Sequence, residues 1–227
     1  TVTGVQTCAL PILTLLELCE AFYAQRPQRG SDAGPGTRLR LRTEVLAGTW
    51  EALVSGQADL ALGVQRDLAA PGIELRPLGE MAFVFAVAPH HPLAARESAL
   101  EDAELLLHRA VAVADSAQRL SPLTVNLLPG QDVLTVPSMR MKLDALLRGL
   151  GCGFVPEPLA RPHVEAGRLV LKQTSRPANV AELHYAWRAE RSALGLGRAL
   201  QWWLQQLESP ATRRALLERH AGPLNGC

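Results

Sequence analysis

The sequence predicts an α/β protein made of two lobes in tandem, and three observations carry that prediction. Short apolar runs punctuated by Gly and Pro alternate with helical apolar stripes along most of the chain, the order expected of strands covered by helices. The 227 residues are 48% hydrophobic, enough for two lobes of about 100 residues that each bury a core. The same strand and helix grammar also restarts, with different residues, after the break Pro89-His90-His91-Pro92.

Residues 1–12 precede the regular pattern. Val2 to Ile12, VTGVQTCALPI, resembles the codon-for-codon translation of a common sequencing-library adapter. The segment is therefore set aside as artefactual, and the natural frame is expected to begin further upstream. Leu15, Leu18, Cys19 and Phe22 then fall at i, i+3, i+4 and i+7, one stripe of a helix that Pro27 closes. The polar run Gln28 to Gly36 reads as a loop. Arg38 to Arg42 alternates strictly, which predicts an edge strand with its leucines on one face and its arginines in solvent. A helix is expected over Leu46–Ser55 with Trp50, Leu53 and Val54 inward, capped by Gly56. Asp59 to Val64 is a short apolar run suited to a strand covered on both faces, which completes a strand–helix–strand unit. Ile73–Leu78 and Met81–Ala88 are expected as two further strands.

Beyond the break, Glu101–Leu107 predicts a short helix, and Ala110–Ala114 and Val133–Val136 predict strands. Ser138 caps a helix whose Met139, Leu143, Leu146, Leu147 and Leu150 share a face. Gly151–Val155 and Leu169–Lys172 read as strands around a short helix at Pro156–Ala166. Ala181–Trp187 is the last strand, and Arg198–Leu207 is a helix stopped by Ser209-Pro210. The second lobe is complete before this pair, so the pair is expected to return to the first. Lobe I then comprises 13–88 and 182–227, and lobe II comprises 89–181. The chain crosses near 88–90 and 173–181, with Ala88, Pro89 and His90 as hinge residues and a cleft between the lobes.

Composition narrows the function. Lysine plus arginine total 23 against 22 aspartate plus glutamate, a net charge of +1, which argues against a basic nucleic-acid surface spread over the whole chain. No run of eighteen apolar residues is present, so no membrane partner is expected. Aromatic content is 4%, too thin for a base-stacking platform. Cys8, Cys19, Cys152 and Cys227 show no CxxC spacing, which argues against a zinc or disulfide scaffold and fits a reducing cytoplasm, and Cys19 and Cys152 sit within apolar patterns as small hydrophobes.

The candidate chemistry points away from catalysis. Gly149-Leu150-Gly151-Cys152-Gly153 follows a helix and opens a strand, the reverse of a dinucleotide fingerprint, so no cofactor is expected. Gly195-Leu196-Gly197 precedes a helix but lacks a third glycine. His90-His91 lack a third ligand at helical spacing, so no metal is expected. Asp115-Ser116 ends a strand without a GxSxG elbow, so no catalytic residue is assigned. What remains is a binding site. Thr43-Glu44 ends a strand before the Leu46 helix and Ser138 opens the Met139 helix, and both helices offer free backbone N–H groups. If these face one another across the cleft, they form an anion-friendly pocket. The candidate effector residues are Thr43, Glu44, Val45, Ser116, Ser138 and Phe154, with main-chain amides and Ser138 and Ser116 as polar contacts and Val45 and Phe154 as apolar walls.

Three stretches carry a resemblance: RLRLRTEVLAGTWEALVSGQADLALGV, RPLGEMAFVFAVAPHHPLA and VLTVPSMRMKLDALLRGLGCGFVPEPLA. In this order they resemble the effector-binding domain of LysR-type transcriptional regulators, with similarity from Leu13 to about Leu207. The resemblance implies two Rossmann-like lobes of the type 2 periplasmic-binding-protein kind. It implies a small-molecule effector held between them, and control of transcription through an N-terminal helix-turn-helix that this sequence lacks. DNA would be a partner only through that missing part. A homodimer or homotetramer is implied, pairing through the helices at Leu15–Gln25 and Met139–Leu150, in the cytoplasm. A periplasmic solute-binding protein of the same fold, or an enzyme built on it, are the alternatives.

Overall fold

A computed structural model of the chain describes residues 2–7, 12–25, 37–66, 70–189 and 196–219. The loop 28–36, Pro27, Gly195, Cys8 and Cys227 lie outside the described residues. In chain order the first elements are β1 (Val2–Thr7), α1 (Ile12–Tyr23), β2 (Leu39–Glu44), α2 (Ala47–Val54), β3 (Leu60–Val64) and β4 (Ile73–Val87). There follow α3 (Asp102–Leu105), β5 (Ala110–Val113), β6 (Val133–Val136), α4 (Met139–Leu147), β7 (Gly153–Pro156) and α5 (Glu157–Glu165). The last are β8 (Val170–Lys172), β9 (Asn179–Arg188), α6 (Arg198–Glu208) and α7 (Pro210–Glu218).

Contacts divide the chain into two compact units. Unit 1 is Thr1–Glu44, Thr49–Gly79 and Glu182–Cys227, and unit 2 is Val45–Gly48 with Glu80–Ala181. The later division lies between 181 and 182. The earlier one runs through β4 between Gly79 and Glu80. Ala88, Pro89 and His90, expected as hinge residues, therefore lie inside unit 2, where Ala88 is buried and His91 caps the 3-10 turn Pro92–Ala95. Four residues, Val45–Gly48, also pass into unit 2 on their own.

In unit 1, β1 lies between β2 and β3 and runs parallel to both, with Thr3 opposite Arg40 and Gly4 opposite Leu60. The other side of β3 pairs antiparallel with β9, Ala61 opposite Ala186. Trp50, Leu53, Ala61, Val64 and Ala186 form a core cluster. The α1 stripe buries Leu15 and Leu18, and the Thr14 hydroxyl donates to the Ala215 carbonyl of α7 at 3.1 Å. Neither β2 leucine is buried, since Leu41 is exposed and Leu39 half-buried, and Val54 faces solvent rather than the core.

Two differences from the sequence reading have local causes. Ile73–Leu78 and Met81–Ala88 form one continuous strand of 15 residues instead of two. Gly79 carries the chain through at φ +145, and a Cβ there would come within 2.5 Å of the Leu217 side chain, so the glycine serves close packing within a continuous strand. Ser209-Pro210 does end α6, but the same pair starts α7, a helix absent from the sequence reading. The Ser209 hydroxyl accepts from Thr212 N and Pro210 opens the first turn, the favoured residues for those positions.

In unit 2, β4 pairs antiparallel with β7, Phe85 opposite Phe154, and with β8. β5 and β6 pair in parallel, and a bridge joins Ala110 to Cys152. Phe85, Val87, Leu93, Leu100, Leu105, Cys152 and Phe154 form the core cluster of this part. On α4 the expected stripe buries Met139, Leu143 and Leu146, whereas Leu150 lies beyond the helix and is exposed. Gly149, at φ +70, terminates α4, and a Cβ on Gly151 would sit 2.4 Å from the Arg109 carbonyl oxygen. The glycine run is thus a tight turn from helix to strand.

Candidate functional site

The helix α2 starts without a polar cap of its own. The residue before Ala47 is Leu46, which carries no hydrogen-bonding group and adopts φ +49, a conformation that costs a branched side chain energy. The first-turn amides must therefore find acceptors elsewhere. They find them at the end of β5, inside unit 2. Ala47 N donates to Asp115 Oδ2 and Gly48 N to Asp115 Oδ1, each at 3.1 Å. The same carboxylate accepts from Ala117 N and Leu123 N, each at 2.8 Å. One aspartate thus receives four backbone N–H groups.

The neighbouring serine completes the arrangement. Val45 N donates to Ser116 Oγ at 2.9 Å, and that hydroxyl donates back to the Val45 carbonyl at 3.3 Å. The backbones touch as well: a Cβ on Gly48 would lie 2.0 Å from Ser116 Oγ and 2.9 Å from Ala117 N. Only glycine allows this approach.

Of the sequence-predicted residues, the structure brings Val45 and Ser116 together, and each satisfies the other's polar groups. Ser138 caps α4, accepting from Met141 N at 3.2 Å. Phe154 is buried, packed edge to face on Phe85 with centroids 5.2 Å apart. It lines an internal pocket of unit 2 with Val111, Leu128, Gln131, Lys142 and Cys152. Thr43 and Glu44 belong to unit 1. There Thr43 pairs with β1 opposite Gln6, and Glu44 accepts from Arg42 at 2.7 Å.

Sequence reasoning missed two residues. Asp115 was noted only as a strand end, yet it holds the first turn of α2. The available signal was the absence of Ser, Thr, Asp or Asn before Ala47, which demands an acceptor from elsewhere in the fold. Lys142, buried on α4, fell between stripe positions and carried no signal of its own. Cys152 is fully buried, and burial pushes its thiol pKa up to about 11 despite the nearby Lys142, so it is a protonated packing group at neutral pH. Among the described residues no group of three or more His, Cys, Asp or Glu side chains could hold a metal ion. Among them too, no helix is long and apolar enough to cross a membrane.

Comparison with known proteins places these features in a family. The family model of the LysR substrate binding domain matches residues 13–210. The uncharacterized HTH-type transcriptional regulator YeeY of Escherichia coli K12 is 32% identical over 198 residues, covering 87% of this chain and 60% of the relative. The HTH-type transcriptional activator AllS of Klebsiella pneumoniae is 37% identical over 144 residues, 63% of this chain and 53% of that protein. The chain spans about half to three fifths of the length of these relatives. Among solved structures, the regulatory domain of the LysR family regulator NMB2055 (MetR) from N. meningitidis superposes with a TM-score of 0.62 at 18% identity, covering 96% of this chain and 92% of that one. Full-length LysG of Corynebacterium glutamicum with bound effector Arg gives 0.61 at 20% identity, covering 96% and 68%. At these identities the structures establish a shared fold, the α/β type 2 periplasmic-binding-protein kind. With a family match over most of its length and a relative at 32% identity, the chain belongs to the LysR-type transcriptional regulators and carries their substrate-binding domain.

Proposed function

We propose that this chain is the small-molecule sensing part of a bacterial transcriptional regulator and acts by binding a metabolite, without catalysis. The observation that carries this reading is the main-chain cradle at the start of α2, whose amides hold a carboxylate. Such a cradle suits recognition of a polar or anionic metabolite. Ser116, Ser138 and main-chain amides are the proposed polar contacts and Val45 and Phe154 the proposed apolar walls, with Thr43 and Glu44 as further proposed members. DNA contact belongs to a helix-turn-helix in the intact regulator, and the cytoplasm is its proposed location. A metabolite that prefers one conformation of the domain shifts the population toward it, and the intact regulator transmits the shift to its operator. The LysR family match favours this reading over a periplasmic solute-binding protein.

Two further proposals follow. Residues 1–12 are an adapter-derived segment, a reading supported by the adapter match from Val2 to Ile12. The regulator self-associates as a homodimer or homotetramer through α1 and α4, supported by exposed Leu16 and Tyr23 on α1 and exposed Met141 on α4. Light scattering is expected to give a mass at least twice the 24.5 kDa of one chain, and a monomer at high concentration would count against it.

The test of sensing is a thermal-shift and calorimetric screen of a metabolite panel against the chain. A true effector at a hundred times its Kd is expected to stabilise the fold by about 2.7 kcal/mol. The same compound must change operator affinity of the intact regulator. A panel covering carboxylates, amino acids and other small polar metabolites with no such compound would sink the reading.

A further inference from the structure

We propose that unit 2 carries an anion site of its own, an internal cavity in which the ammonium of Lys142 holds a monoanion of about chloride or formate size. Every lining residue belongs to unit 2. The site is separate from the sensing reading above: of the residues proposed there for the effector, only Phe154 lines this cavity, and the inference stands even if no metabolite is found.

Lys142 lies on α4 and is only 9% exposed. A lysine ammonium is rarely buried this far unless negative charge or acceptors meet it. Its neighbours fix its position. A Cβ on Gly153 would lie 3.4 Å from both Cε and Nζ of Lys142, so the ammonium lies against the β7 backbone. The Cys152 thiol feels the same charge, which works against the rise in pKa that burial causes. Lys142, Cys152 and Gly153 all line the cavity, which puts the ammonium at its wall.

The rest of the lining selects the occupant. Phe85, Val111 and Phe154 supply apolar walls, beside which a charge is screened less than in water. Among the described residues that line the cavity are two cations, Lys142 and Arg176, and no carboxylate. Arg176 is held by Asp102, Nε to Oδ1 at 2.6 Å, so the Lys142 ammonium is the charge an occupant meets. Gln131 is used at both ends: its Nε2 donates to the Leu105 and His108 carbonyls at 2.9 and 3.1 Å, and its Oε1 accepts from Leu128 N at 3.3 Å. It therefore fixes the wall and does not compete for the occupant. Size sets the rest. The cavity has a volume of about 20 Å³, against the roughly 10–15 Å³ that one water requires. Chloride or formate suits that room, and benzoate or a dicarboxylate does not. An anion there ties α4 to β7 and makes the stability of unit 2 depend on anion concentration.

The test is anion replacement at constant ionic strength, read by thermal denaturation of the full chain. Chloride and formate, exchanged for gluconate, are expected to raise Tm saturably, by about 3–6 °C at ten times their Kd, whereas benzoate should not. Lys142→Met keeps the unbranched shape of the side chain without its charge, and its Tm should no longer follow chloride or formate. Arg140→Met removes an exposed cation from the same helix and should respond like the wild type. A bromide-soaked crystal of the wild type gives the location, with bromide expected beside Lys142 Nζ; if Lys142→Met fails to fold, this position decides alone. The same Tm in every anion would overturn the proposal, because the cavity would hold water only. A response that survives in Lys142→Met, an equal response to benzoate, or bromide ordered only away from Lys142 would overturn it too, because the anion would be acting elsewhere.

Discussion

At the scale of single residues, the same physics that builds the cradle makes specific positions intolerant. Gly48→Ala would force a methyl group to within 2.0 Å of Ser116 Oγ and 2.8 Å of the Ser116 carbonyl carbon. Backbone must move to admit it, and the expected loss is about 1–3 kcal/mol of stability in urea denaturation. His91 gives a pH prediction. Its Nδ1 accepts from Leu93 N at 3.2 Å, which requires that nitrogen to be unprotonated. Burial lowers its pKa, helped by the nearby His108 and His90. The unfolded chain therefore binds a proton more readily, at an ordinary histidine value of about 6.5. Stability from neutral His91 is complete above that value and is lost as pH falls from it through the lower folded value. Wild-type urea midpoints are expected to drop more steeply than those of His91→Gln between about pH 7 and pH 5. Parallel curves would assign the acid sensitivity elsewhere.

At the scale of elements, the helix starts show how far local sequence reaches. Ser138 and Ser209 cap α4 and α7 from the preceding position; both caps are neighbours of their helices, but Ser209-Pro210 was read only as the stop of α6. Ser138→Ala is expected to cost about 1 kcal/mol, from loss of the hydrogen bond to Met141 N. Calorimetry on an identified effector separates capping from contact: unchanged affinity in Ser138→Ala would remove Ser138 from the proposed site. The start of α2 is different in kind. Its cap comes from the end of β5, and no window of sequence around Leu46 contains it. Strand β4 makes the same point, since the sequence reading breaks it between Leu78 and Met81 whereas in the fold Gly79 answers to packing against Leu217.

At the scale of the whole molecule, β1 decides whether unit 1 has a continuous sheet. It pairs with β2 on one side and β3 on the other, so its removal would expose the edges of both. Deletion of residues 1–11 is expected to abolish cooperative unfolding of unit 1 and to promote aggregation through those edges. Calorimetry and size exclusion would check this, and an unaltered transition would show that the strand is dispensable.

The sequence by itself determined the α/β class, nearly every element from α1 to α6 and, through three ordered motifs, the family. These are properties of periodicity, capping and turn chemistry, which act over a few residues. Only the tertiary structure decided that the unit boundary runs through β4 and that Asp115 occupies the cradle at α2. Each depends on groups far apart in sequence that meet because burial and backbone hydrogen bonding must be satisfied together. A missing cap at Leu46 can be read from the chain, but the carboxylate that replaces it is chosen by the fold.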